Sequence, residues 1–110
     1  MNRKRLDKLW KLLEAAPRSP QTADDLEALA KMSGRRLRPG GNHPVWVTDY
    51  FPHRPLPIER HGGNPAIPMH ARKVILNGLE ADAAAWEELL SQREERRSGN
   101  GGAGGPEGNS

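Results

Sequence analysis

Leu6, Leu9, Trp10 and Leu13 recur with the spacing of one helical face, while Arg3, Lys4, Lys8 and Lys11 fall outside it. That pattern predicts a helix over residues 3–16. Pro17 and Pro20 interrupt it. Thr22-Ala23-Asp24-Asp25 has the form of a capping box, and Leu26, Leu29 and Ala30 continue helically to about Met32, with Gly34 as the cap. The period then changes. Arg35–Arg38 suits a short strand, and Pro39-Gly40-Gly41 a turn. Val45–Tyr50 alternates as a strand, with Val45 and Val47 on one face and Trp46 and Thr48 on the other. Leu56–Glu59 suits a third strand, and its Pro57 suggests an edge position. Residues 60–68 form a loop rich in Gly, Pro and Asn. Met69–Asn77 reads as a helix with Val74 and Ile75 in its apolar set, stopped at Asn77-Gly78. Leu79, Ala83, Trp86 and Leu90 define a last helix over 79–92.

The middle order is helix, strand, strand, strand, helix, with one extra helix at each end. It predicts an α+β domain with helices on one face of a small antiparallel sheet. The same order occurs in double-stranded-RNA-binding domains. One domain over 1–97 is expected, with a core of about 22–77, followed by a glycine-rich disordered tail over 98–110.

Composition narrows the chemistry. The 110 residues include no cysteine, which removes disulfides, thiolate metal sites and cysteine nucleophiles. No stretch is apolar enough to span a membrane, and no secretory apolar segment stands at the N-terminus. The expectation is a soluble, cytoplasmic protein. The net charge of +3 conceals an asymmetry: residues 1–76 sum to +7 and residues 77–110 to −4. A basic body suits a polyanion, although a solvated surface with an acidic last helix explains the charge equally well.

Candidate chemistry gathers at Gly40-Gly41-Asn42-His43. Glycines let a backbone turn sharply or approach a ligand. Imidazole takes or gives a proton near neutral pH. His43 stands behind that turn and next to a basic run, so it is placed to meet a phosphate backbone. Arg35, Arg36 and Arg38 are the phosphate-contact candidates, and alternation sets Arg36 and Arg38 on one side with Arg35 opposite. Arg60 and His61 in the following loop are candidates for RNA contact. His53 and His70 read as bystanders. No histidine pair has ligand spacing, so no metal is expected. Trp46 reads as a core residue before a stacking one, and Trp10 and Trp86 as packing residues.

Arg38-Pro39-Gly40-Gly41-Asn42-His43-Pro44-Val45-Trp46, Leu56-Pro57-Ile58-Glu59-Arg60-His61, Ile67-Pro68 and Val74-Ile75-Leu76 together resemble the HicA toxins of bacterial type II toxin–antitoxin systems. The likeness covers about residues 24–77. It rests on the order and spacing of several short motifs. Where that family often has Lys-Gly-Thr after Ile-Pro, this chain has Met69-His70-Ala71. The resemblance implies a double-stranded-RNA-binding-like fold, mRNA cleavage without a cofactor, His43 as the catalytic residue, and a HicB-like antitoxin covering the active face. The alternatives are a non-catalytic RNA-binding module of the same fold and an adaptor that binds proteins through its terminal helices.

Overall fold

The computed structural model describes residues 1–102, with side chains to residue 97. The first helix, α1, spans Arg3–Ala15. The Asn2 side chain caps it by accepting from the Arg5 amide. A 3₁₀ turn at Ala16–Arg18 carries the chain past Pro17 to α2, Ala23–Met32. The capping box at the start of α2 is reciprocal. The Thr22 hydroxyl accepts from the Asp25 amide, and the Asp25 carboxylate accepts from the Thr22 amide. Gly34, at φ +97°, ends α2 in the left-handed region.

Three short strands follow: β1 at Arg36–Leu37, β2 at Val45–Val47 and β3 at Leu56–Pro57. They form an antiparallel sheet in the order β1-β2-β3. Each strand is shorter than its apolar run, because residues 39–44 and 48–55 turn away between them. Pro57 lies on an edge strand, where its missing N–H breaks no ladder. The face carrying Trp46 and Leu56 is buried, and Val45 and Val47 are half exposed on the other.

The last helix departs from expectation. Residues 69–77 and 79–92 do not form two helices; α3 is one helix, Met69–Gly102. Its buried positions Ile75, Leu76, Leu79, Ala83, Trp86 and Leu90 keep helical period straight through residue 78. Gly78 therefore stops nothing. A Cβ there would sit 2.6 Å from Cδ2 of Leu56, so glycine is the residue that lets α3 lie against β3. Val74, read as apolar-face, is half exposed instead. The helical backbone enters the stretch expected to be disordered, over residues 98–102. The rest of that expected tail, 103–110, lies outside the described residues.

The described residues share one core. Leu6, Leu9 and Leu13 of α1, Leu26 and Leu29 of α2, Trp46 and Leu56 of the sheet, and the α3 stripe are all buried together. The result is an α+β fold in which helices cover one face of a three-stranded antiparallel sheet. No helix among the described residues is long and apolar enough to cross a membrane.

Candidate nucleic-acid interface

The outer sheet face and the β1–β2 turn carry the residues singled out in the sequence. Gly40 and Gly41 have φ of +78° and +82°, and no atom stands within 4 Å of where a Cβ would be. Backbone geometry, not crowding, requires glycine here, and the turn is open to a ligand. Asn42 and His43 follow on this turn, both exposed. The His43 ring is 72% exposed, and its Nδ1 lies 3.7 Å from a carboxylate oxygen of Glu59. That separation exceeds a hydrogen bond, so the pair interacts as charges when the imidazole is protonated.

The arginine run divides. Arg36 and Arg38 are exposed, and the Arg38 amide donates to the Val45 carbonyl, which extends the β1–β2 ladder past Leu37. Alternation places both side chains on the outer face with Val45 and Val47. Arg36 is held in a fork by Asp49, at 2.7 and 3.1 Å. The hydrogen bonds from Arg36 hold the Asp49 carboxyl below its ordinary range, and Asp49 raises the Arg36 guanidinium. Arg38 has no ion-pair partner among the described residues.

Arg35 is a correction. It was a phosphate-contact candidate, but its side chain is fully buried. Its Nε and Nη2 donate to Asp82 of α3 at 2.6 and 3.0 Å, and Nη1 donates to the carbonyls of Trp46 and Arg54. A guanidinium with its donors so occupied joins α3, β2 and the loop before β3, and reaches no phosphate. Arg60 is likewise engaged, though exposed. It pairs with Asp24 at 2.6 Å and Glu27 at 3.0 Å, anchoring the 60–68 loop to α2. Hydrogen bonds to these two carboxylates raise its pKa. His61 is exposed and lines a cleft of about 220 Å³ with Glu59, between β3 and the start of α3. His70 is exposed on the first turn of α3.

Trp46 is buried, so it stacks on no base. Trp86 is also a packing residue: its indole N–H donates to the Ser33 carbonyl, and its ring meets Tyr50 and Phe51.

A second cluster, which no local motif in the sequence announces, stands at the far end of β2. Asp82, fully buried, accepts from Arg35 and from the Ser33 hydroxyl at 3.2 Å, and its Oδ1 lies 2.7 Å from Nδ1 of His53. The His53 ring stacks on Phe51 and lines a cleft of about 520 Å³ with Arg54 and Val74. A carboxylate on Nδ1 fixes the imidazole and leaves Nε2 free. The two residues are 29 positions apart. The only trace in sequence is an acidic residue within the apolar period of α3. Among the described residues no three histidine, aspartate or glutamate side chains gather as metal ligands.

The chain matches no family model, no curated protein and no solved structure.

Proposed function

We propose that this protein is a HicA-like endoribonuclease toxin that cuts mRNA at the outer sheet face, with His43 as its acid–base group. The order α2-β1-β2-β3-α3 is that of a double-stranded-RNA-binding domain, and the resemblance over residues 24–77 points the same way. The observation that carries the reading is the placement of His43. A solvent-open imidazole stands on a glycine turn, next to a carboxylate 3.7 Å away and at the end of a face bearing Arg36 and Arg38.

The chemistry suited to these groups is transesterification. His43 takes the proton of a ribose 2′-hydroxyl, or gives one to the departing 5′-oxygen. The 2′-oxygen bonds to phosphorus as the bond to the 5′-oxygen breaks. Arg38 offsets charge growing on the phosphate oxygens. A cognate antitoxin of HicB type would silence the enzyme by covering His43 and this face, with acidic or polar groups towards Arg38.

The test is induced expression of wild type beside His43→Ala, with growth and RNA integrity followed. His43 is exposed, so the variant should stay folded, within about 0.5 kcal/mol of wild type. It should neither cleave RNA nor arrest growth. A folded His43→Ala protein that cleaves at full rate sinks the reading.

One observation favours a non-catalytic RNA-binding module: no hydrogen bond from the described residues orients the His43 ring. That module would bind RNA through the arginines, tolerate His43→Ala, and leave RNA intact.

A further inference from the structure

Glu59 faces two ways. Its carboxylate is 3.7 Å from His43 on one side, and on the other it lines the cleft between β3 and the start of α3. The remaining walls are Pro57, Ile67, Pro68, Ala71 and Ile75, with His61 beside Glu59. The cleft is therefore apolar, with one carboxylate and one imidazole as its polar groups. Its volume is about 220 Å³. Drug-sized ligands fill pockets of about 300–1,000 Å³, so this smaller cleft suits a single small group such as one base. Proline and isoleucine walls offer apolar contact to a base face. No donor in the protein hydrogen-bonds Glu59 among the described residues, so both its oxygens are open.

We infer that this cleft is a base-recognition pocket for guanine, read by Glu59, for the nucleotide adjoining the bond cut at His43. The inference rests on the nuclease reading for its link to cleavage, but the pocket is testable without it. An ionised carboxylate only accepts hydrogen bonds. Guanine alone sets two donors side by side, its ring N1–H and its exocyclic amino group, and so matches both oxygens. Adenine and cytosine put a ring acceptor next to their amino group, and that lone pair repels a carboxylate. Uracil flanks its single N–H with two carbonyls. A bidentate contact of this kind discriminates by about ten- to a hundred-fold in affinity.

The experiment uses the full chain and four oligouridine probes that differ in one central base. Their riboses are 2′-O-methylated, so attack by the 2′-oxygen is blocked and binding is read by itself. The guanine probe should bind about ten- to a hundred-fold tighter than the other three. Glu59→Gln replaces one acceptor with a donor, a pair that every base can match, and should erase the guanine preference. Ala71→Leu fills the cleft from an exposed helix position, and should abolish base preference in a protein that circular dichroism shows to be folded. Equal binding of the four probes, or no binding of any, overturns the pocket. So does a guanine preference that survives both substitutions. Guanine-selective binding with unmethylated RNA left uncut would retain the pocket and remove the nuclease reading. His43-dependent cleavage with equal binding of the four probes would do the reverse.

Discussion

Arg35, Arg36 and Arg38 look interchangeable along the chain, yet strand alternation gives each a separate environment. Arg35 points inward and is consumed by Asp82, while Arg36 and Arg38 point to solvent. Removing one partner of a buried pair strands the other charge, at a cost of about 3–5 kcal/mol. Asp82→Asn should therefore lower unfolding free energy by about that much in a urea titration. It would leave Arg35 without a counter-charge while keeping the side-chain shape. A loss below about 1 kcal/mol would mean that the pair is not buried as described. On the outer face the two arginines should differ. Arg36 must leave Asp49 to bind a phosphate, whereas Arg38 has no ion-pair partner among the described residues. If the outer face binds RNA as proposed, Arg38→Ala should flatten the salt dependence of that affinity by about 0.7 log units, the share of one single-strand phosphate contact. Arg36→Ala should flatten it less. Equal slopes for Arg38→Ala and wild type would place Arg38 outside the RNA contact.

The helices are the elements in which sequence and structure agree best. The Leu6, Leu9, Leu13 stripe, the Thr22–Asp25 box and the Leu79, Ala83, Trp86, Leu90 stripe each rest on local spacing, and each stands where that spacing put it. Gly78 shows where local reading ends. Asn-Gly is a common helix stop, but here the reason for glycine is Leu56, which stands 22 positions earlier in the chain. An added Cβ would meet Cδ2, Cδ1 and Cγ of that side chain at 2.6, 2.9 and 3.2 Å. Leu56 is buried on its core side and borders the cleft beside His53 on the other, so its isobutyl group must shift to admit the methyl. Gly78→Ala should cost about 1–3 kcal/mol through overpacking. Alanine returns ~1 kcal/mol of that as a better helix former, which leaves a net loss of about 0–2 kcal/mol. Adding Leu56→Val should recover part of the loss in a thermal or urea melt. A Gly78→Ala protein more stable than wild type would show that β3 yields freely. The candidate site divides in the same way. His43 and its glycine turn are contiguous and could be read directly. The Glu59 approach depends on β2–β3 pairing, and the His53–Asp82 contact on the docking of α3. Neither leaves a local motif.

At the scale of the molecule, the charge asymmetry of the chain is partly internal. Arg3 on basic α1 reaches across to α3, at 2.8 Å from Glu87 and 3.1 Å from Glu94. Arg5 donates to the carbonyls of Lys31 and Met32 at the end of α2, where a helix carries partial negative charge. Two acidic groups of the last helix thus answer one arginine of the first, and on the sheet Arg36 is paired with Asp49 while Arg38 has no ion-pair partner among the described residues. This clasp sets an acid limit on stability. The hydrogen bonds from Arg3 hold the Glu87 carboxyl below its ordinary range, and the Ser91 hydroxyl assists. A carboxyl whose folded pKa is lowered binds protons more readily in the unfolded chain. Its stabilising effect is complete above the unfolded value of about 4.3 and is lost as pH falls through the lower folded value. The melting temperature should therefore drop as pH is taken from 6 to 2. Glu87→Gln should melt lower than wild type at pH 6, and the gap should narrow towards pH 2 as the wild-type carboxyl takes up its proton. Because the pair is partly exposed, the gap at pH 6 should also narrow in high salt. A gap that stays constant across that pH range would assign the loss in Glu87→Gln to packing of α1 on α3 and not to the charge of the clasp.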